Sequence, residues 1–268
     1  MSRIRKWLAL VAVGALIVGC ASGPQTGSAT KSSAHNAAVS KKTVSHKPGK
    51  VVTCKVRRNV VEWKLIKGRC KNGYAHGKGY AMSVDRRRRY RGNFVAGEFS
   101  GKGQYTWADG TRYTGGFRKG KKHGTGTIVH ADKSRYTGEF KDNVYAGRGT
   151  YIDADKSEYV GQFRAGQFNG NGRYRWANGN RYEGEFRDNV MSGQGTFVRA
   201  NGERYTGAFR ANEMNGEGVY TWPNGDRYQG QFRNNKMNGN GTYRIADGSV
   251  YTGEFRDGKK YKIGRLDQ

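Results

Sequence analysis

Residue types that could support catalysis are few in this chain and are poorly spaced for it. The five histidines fall in a polar linker or at turn positions, and no two share the spacing of a metal-ligating pair: His35, His46, His76, His123 and His130. The acidic run 153–158 suggests calcium ligation, but it lacks the central glycine and terminal glutamate of an EF-hand loop. There is no Gly-x-Ser-x-Gly element, and the Gly-x-Gly pairs do not open helices. The sequence therefore predicts a protein that is not an enzyme and holds no metal or cofactor.

Two of the three cysteines are placed for structural chemistry. Cys54 and Cys70 lie sixteen residues apart, and a disulfide between them would close a loop of a length that stabilises by ~3 kcal/mol. A metal site is the alternative, and the absence of matching histidines disfavours it. The bridge requires an oxidising compartment.

The elements that position these residues come from an internal repeat. A Tyr-x-Gly-x-Phe pentad recurs eight times at an unbroken spacing of 23 residues, followed each time but the last by a Gly-x-Gly pair. A fixed period of this kind indicates a stacked array. The predicted repeat core consists of Tyr90, Phe94, Tyr113, Phe117, Tyr136, Phe140, Tyr159, Phe163, Tyr182, Phe186, Tyr205, Phe209, Tyr228, Phe232, Tyr251 and Phe255.

Within a repeat, apolar residues or glycine alternate with polar residues, which predicts strands. A two-residue turn between them would put Tyr105 and Tyr113 on opposite faces of the hairpin. A three-residue loop that ends in a left-handed Gly110 puts both on one face, and we favour it. The fold class is therefore all-β, an elongated single-layer antiparallel sheet of tandem hairpins. Lys133 and Lys156 stand where other loops have glycine, which predicts strained or differently shaped loops there.

The pentad, its turn and the Gly-x-Gly pair resemble the MORN repeat, and the resemblance covers about residues 66–266. It implies one β-hairpin per repeat and a binding or scaffolding surface for proteins or anionic lipid head groups.

The array also needs ends. Residues 66–70 fall on the pentad frame as a degenerate repeat in which Cys70 takes the place of the phenylalanine, so the disulfide would staple a hairpin that lacks an aromatic anchor. After the last pentad, Lys262 replaces the first paired glycine, which predicts a truncated C-terminal hairpin. The predicted boundaries are 54–89 for the basic cap and 90–268 for the eight repeats and their end.

The N-terminus has the layout of an export signal. Arg3, Arg5 and Lys6 precede an apolar run over residues 7–18 that ends at Cys20, and residues 17–20 resemble the lipobox of bacterial lipoproteins. The resemblance implies cleavage of residues 1–19 and acylation of Cys20 with palmitate-type chains. Because residue 21 is Ala and not Asp, it also implies the periplasmic face of the outer membrane in a Gram-negative host. An uncleaved membrane helix or an ordinary signal is the alternative. Residues 20–53 have the composition of a disordered tether.

The net charge of +28 is concentrated near this tether, with twelve basic and two acidic residues between 54 and 89. The candidates for contact with anionic lipid are Arg57, Arg58, Arg86, Arg87, Arg88 and Arg89. Each such charge near an anionic membrane contributes about 1 kcal/mol. A merely solvated face is the alternative. Along the repeats, Glu139, Glu185 and Glu254 lie between rows of arginine, which predicts either salt bridges on a solvated face or a cationic and aromatic surface for an anionic polymer such as glycan, peptidoglycan or lipid.

Two functions follow from these features. The first is a membrane-anchored scaffold for unidentified envelope proteins in the bacterial cell envelope. The second is a binding module for anionic lipid head groups, lipopolysaccharide or peptidoglycan. Binding to nucleic acid would fit the positive charge but not an exported compartment, so we do not expect it. The sequence leaves open whether copies of the chain associate through the edges of their sheets.

Overall fold

The computed structural model describes residues 54–57, 62–261 and 265–267. This part of the chain contains nineteen strands and no helix, and hence no helix that could span a membrane. The strands are β1 (Trp63–Lys71), β2 (Tyr74–Ser83), β3 (Arg89–Val95), β4 (Glu98–Thr106), β5 (Arg112–Arg118), β6 (Lys121–Val129), β7 (Arg135–Lys141), β8 (Val144–Ile152), β9 (Glu158–Arg164), β10 (Gln167–Arg175), β11 (Arg181–Arg187), β12 (Val190–Val198), β13 (Arg204–Arg210), β14 (Glu213–Thr221), β15 (Arg227–Arg233), β16 (Lys236–Arg244), β17 (Val250–Arg256), β18 (Lys259–Lys260) and β19 (Arg265–Asp267).

These strands form one open antiparallel sheet in which each strand from β1 to β17 pairs with the next, while β18 and β19 both pair with β17. Two-residue turns such as Ala96-Gly97 join the strands of a pentad hairpin, and we call the sheet edge that they form the turn edge. Five-residue segments such as 107–111 join successive repeats at the opposite edge, which we call the loop edge. The all-β architecture of tandem hairpins predicted from the pentads is confirmed.

One face of the sheet, the aromatic face, holds the core. Because side chains alternate across a strand, Tyr90, Gly92 and Phe94 point to the same side. All sixteen predicted core residues are buried, none more than 6% exposed. Complete burial of such a side chain contributes about 1.5–3 kcal/mol.

The tyrosine ring lies flat along its own strand, which explains the paired glycines. The Tyr113 hydroxyl donates a hydrogen bond to the Gly116 carbonyl at 2.9 Å. The ring thereby covers Gly115 and Gly126 on adjacent strands, and a Cβ on either would lie 2.5 Å from the phenol oxygen. No side chain larger than hydrogen fits at these positions.

The loop geometry follows the three-residue prediction. Tyr105 pairs directly with Tyr113, the Trp107 amide donates to the Thr111 carbonyl at 2.9 Å, and Gly110 has φ +87°. Lys133 and Lys156 adopt φ +73° and +77° with the same pair of backbone hydrogen bonds. Those two loops are therefore strained, as predicted, but their shape is the same as that of the others.

A disulfide fastens the N-terminal hairpin to the residues that precede it. Cys54 and Cys70 form a disulfide with a Cα–Cα distance of 5.6 Å, and Cys70 pairs with Ala75 as Phe94 pairs with Phe99.

The expectation that this hairpin has no aromatic anchor is wrong. Irregular pairing after Leu65 and again after Lys67 changes which residues face the core, so Ile66 is 53% exposed. Trp63 takes over as the anchor: it is 6% exposed and its ring lies 5.4 Å from that of Phe99.

Candidate functional site

The polar face, opposite the aromatic rings, carries a groove of about 780 Å³ that crosses β7 to β11. The backbone of five glycines forms its floor, because their missing side chains would point to the aromatic face. Thr137, Thr150, Val160, Arg148, Arg173 and Glu183 are among the side chains around it. Exposed peptide groups and short polar side chains of this kind suit contact with a polymer chain.

Threonines and glutamates of this face are held in place by hydrogen bonds. The hydroxyls of Thr127 and Thr137 lie 3.1 Å apart on adjacent strands. Glu139, which the sequence suggested as a salt-bridge partner, instead accepts the Arg148 backbone N–H at 3.0 Å. This bond satisfies a bulged segment of β8, because Gly147 and Arg148 are extra residues opposite the Gly138–Glu139 step. Glu185 bonds the Gln194 amide in the same way at 3.0 Å.

Two rows of arginine flank the centre of the polar face. The row at the turn edge is partly neutralised, with Arg118 3.6 Å from Asp142 and Arg164 3.6 Å from Asp188. The row at the loop edge consists of Arg89, Arg112, Arg135, Arg181, Arg204 and Arg227. All six are exposed, and none forms a salt bridge with another residue that the structure describes.

The arginines that the sequence grouped as a lipid-binding cap do not lie together. Arg57 is at the turn edge, where its amide donates to the Gly97 carbonyl and its guanidinium lies 4.2 Å from the centre of the Tyr74 ring. A hydrogen bond from this guanidinium, together with its charge, lowers the pKa of the Tyr74 phenol.

The other cap arginines occupy the loop edge, about 23 Å away along a seven-residue strand. Arg86, Arg87 and Arg88 belong to a loop that is closed by the Ser83 amide and the Arg88 carbonyl, one residue further apart than Trp107 and Thr111 in the next loop. Arg89 begins β3. Asp85 organises this loop by accepting hydrogen bonds from the Ser83 hydroxyl and the Arg87 amide, which lower the pKa of its carboxyl. Arg58 and the acylation candidate Cys20 lie outside the described residues.

Sequence reasoning missed a polar cluster inside the aromatic face. Lys122 stands where the other complete repeats have Phe, Tyr or Met. It is 8% exposed, and its ammonium lies 5.2 Å from the centre of the Trp107 ring. His130 hydrogen-bonds the Tyr145 hydroxyl at 2.9 Å. Burial lowers the pKa of His130 and raises that of Tyr145. The sequence carried a signal for this cluster, since Lys122 interrupts a series of aromatic residues and methionine at the 23-residue period that runs from Phe99 to Met237. Among the described residues, no three His, Cys, Asp or Glu side chains are grouped to hold a metal ion.

Comparison with known proteins identifies the repeat. The MORN repeat matches residues 90–112, 113–135, 136–158, 159–181, 182–204, 205–227, 228–250 and 251–260. The chain belongs to the MORN repeat family. No curated protein matches this MORN chain significantly.

Solved structures resemble it only in part. The TCP10 domain of Danio rerio CPAP is 9% identical with a TM-score of 0.41, covering 76% of this chain and 94% of that one. The TCP domain of Drosophila melanogaster SAS-4, solved with a proline-rich motif of Ana2, is 11% identical with a TM-score of 0.38, covering 58% of this chain and 84% of that one.

Proposed function

We propose that this MORN protein is a non-enzymatic interaction scaffold, tethered in the bacterial envelope, that binds an extended segment of a partner protein along the groove of its polar face. The observation that carries the proposal is the groove itself, about 780 Å³ with a glycine backbone floor. The aromatic side chains of the repeats are committed to the opposite face, so the polar face is free for recognition.

The lining supports a protein partner. Glu183 and Arg173 offer charges of both signs within one groove, and the threonine hydroxyls can both donate and accept hydrogen bonds. An extended backbone presents the same mixture of donors and acceptors. The glycine floor also permits close approach of a second chain.

The tether is the part of the proposal that rests on residues 1–53. Acylation of Cys20 would attach the chain to a membrane by several acyl chains, each buried methylene contributing about 0.8 kcal/mol. The Cys54–Cys70 disulfide fits an exported protein, because such bridges persist in oxidising compartments. We place the protein at the outer membrane, facing the periplasm.

Site-specific photo-crosslinking in the host envelope tests the groove. A crosslinking residue at Thr150, inside the groove, is expected to trap one discrete partner band. Thr242 is the matched control, since it has the same place in its repeat and a similar half-buried side chain but does not line the groove. Equal crosslinking from both positions, or none from Thr150, would contradict the proposed surface.

The anchor has its own test. Replacing Cys20 with Ser is expected to leave the precursor unlipidated, so that labelled palmitate is incorporated into the parent protein and not into the variant. Equal incorporation into both would rule out acylation at Cys20 while leaving the groove hypothesis intact.

A further inference from the structure

The loop edge of the polar face holds a second cavity with an unusual charge arrangement. It measures about 470 Å³, lies across β9 to β13, and is lined by Arg173, Arg175, Arg181 and Arg204. Two acidic residues, Glu158 and Glu183, share the lining, so the charged side chains sum to +2. A cavity of this volume is in the range that holds a small ligand.

Two of these arginines oppose each other on adjacent strands, as Arg227 and Arg244 do elsewhere in the sheet. Arg175 and Arg181 are direct cross-strand partners on one face, where like charges destabilise a sheet. Glu158 offsets only part of this repulsion, at 3.8 Å from Arg175. Arg181 and Arg204 form no salt bridge with any residue in the described ranges.

The register brings the remaining groups to the same place. Arg173 is two residues from Arg175 and therefore on the same face, and it pairs with Val160 on one side and Glu183 on the other. Val198 separates Arg181 from Arg204, so these two guanidinium groups stand on alternate strands. Thr196 and Val198 give the cavity one hydroxyl and one apolar wall.

We propose that this cavity binds a phosphate monoester. Planar guanidinium groups form paired hydrogen bonds with phosphate oxygens, and several of them around one site compensate a doubly charged anion. The net +2 of the lining matches that charge, and a bound dianion would relieve the repulsion between Arg175 and Arg181. The site shares Val160, Arg173 and Glu183 with the protein-binding groove proposed above, whereas Arg181 and Arg204 line this cavity and not the groove. Variants at Arg181 and Arg204 therefore test the phosphate site without changing the lining of the groove.

Titration of the full-length protein in a neutral detergent tests this site. The probes are glycerol 3-phosphate, dihexanoyl phosphatidic acid and uncharged glycerol, and binding is followed by calorimetry. We expect both phosphate probes to bind and glycerol not to bind. Similar affinities for the two probes would assign recognition to the phosphate alone, whereas much tighter binding of the lipid would assign the site to a lipid head group.

The chain supplies a matched pair of variants. R181Q/R204Q removes two cavity arginines, and R112Q/R135Q removes two arginines from the same places in other repeats with the same loss of charge. Losing charge-assisted hydrogen bonds should weaken phosphate binding about tenfold or more in the first variant and less than about twofold in the second. Equal weakening in both, or no binding by the parent, would overturn the proposal by showing a diffuse cationic surface.

Two further measurements keep the result interpretable. R181Q removes the charge opposite Arg175, so the thermal midpoint without ligand should stay equal or rise, which shows that lost binding is not lost folding. An oligoglutamate peptide serves as the competing ligand class. If it binds more tightly than either phosphate probe and depends on the same arginines, the site recognises acidic protein segments and the phosphate assignment is wrong.

Discussion

At the scale of single residues, each repeat is organised by the contact between a tyrosine ring and two glycines. The Tyr182 ring covers Gly184 and Gly195, and a Cβ at Gly195 would lie 2.4 Å from the phenol oxygen. The ring cannot move away easily, because its hydroxyl also donates to the Glu185 carbonyl at 3.0 Å.

Gly195→Ala is therefore expected to lower the free energy of unfolding by about 3 kcal/mol, the upper range for overpacking a core. Gly248→Ala is the control: its Cβ would meet nothing within 4 Å, and only its φ of +100° opposes the change. The control should lose about 1 kcal/mol. Urea denaturation of both variants gives the comparison, and equal losses would show that the ring contact is not restrictive.

Asparagines at the turn edge provide a second contact between repeats. The Asn189 side-chain oxygen accepts the Phe168 amide at 2.8 Å, and Asn143 accepts the Lys122 amide at 2.9 Å. Gly120 has the same place one repeat earlier, with φ +71° and no atom within 4 Å of a Cβ. The Phe99 amide is the group that an asparagine there would reach.

Gly120→Asn should raise the free energy of unfolding by about 1 kcal/mol, because it leaves the unfolded chain less flexible and gives this turn the side chain found in the next repeat. Asparagine tolerates a positive φ better than most residues. Gly97→Asn is the opposing control, since a Cβ there would lie 2.9 Å from the Lys55 carbonyl oxygen and should destabilise. A thermal midpoint that falls for Gly120→Asn would disprove this role of the turn asparagines.

At the scale of elements, the hairpin has two different ends and one bulged strand. Between the Gly92–Gly103 pair and the Asn93–Ser100 pair, β4 has two residues that β3 lacks. A local bulge of this kind bends a strand and increases its twist. The same irregularity follows the central glycine in each later pentad hairpin through β16.

The loop edge offers a stability test at this scale. Lys156 holds φ +77° in a loop whose counterpart one repeat later ends in Gly179 at φ +91°. Lys156→Gly should stabilise the protein by about 1 kcal/mol, because glycine adopts this conformation without the Cβ clash. Gly179→Lys should destabilise it by a similar amount. Chemical denaturation of the reciprocal pair checks the prediction, which fails if both variants shift in the same direction.

At the scale of the whole array, a continuous ladder of aromatic rings couples neighbouring repeats. Tyr136 makes edge-to-face contact with Phe140 in its own repeat at 5.1 Å and with Phe163 of the next at 4.9 Å. The same pair of contacts recurs from Tyr90 to Tyr228. Because each repeat contacts its neighbours in this way, stability is a sum of repeat and interface contributions.

The ladder also makes the fold sensitive to alkali. Burial raises the pKa of Tyr113, Tyr159 and Tyr228 to about 12. An unfolded tyrosine ionises near pH ~10, so above that pH the unfolded chain releases protons that the folded chain retains. The stability that these phenols contribute is therefore complete below pH ~10 and is lost as pH rises towards ~12.

We expect unfolding free energies to change little between pH ~8 and ~9 and to fall steeply above pH ~10. The slope of that fall reports the number of protons released on unfolding, and Tyr159→Phe should lower this number by about one. Denaturant titrations across this range measure both effects. A slope that is the same in Tyr159→Phe and in the parent would show that the buried phenol does not control alkaline unfolding.

The repeat, the strands, the loop register and the buried tyrosines and phenylalanines were predictable from the sequence. Each of these features depends on a local or periodic sequence pattern, because alternation sets the face of each side chain and the number of loop residues sets the register. The strain at Lys156 was readable for the same reason.

Other features depended on contacts between repeats. Trp63 became the end anchor because irregular pairing in β1 changed the face of each residue, and no periodicity reports such a shift. The separation of Arg57 from Arg86, and the meeting of Arg175 with Arg181, depend on which sheet edge each residue occupies and on cross-strand register. The number of residues between two positions in the sequence predicts neither the separation nor the meeting. Antiparallel pairing brings residues together across a loop, and it places the two ends of one strand at opposite edges of the sheet.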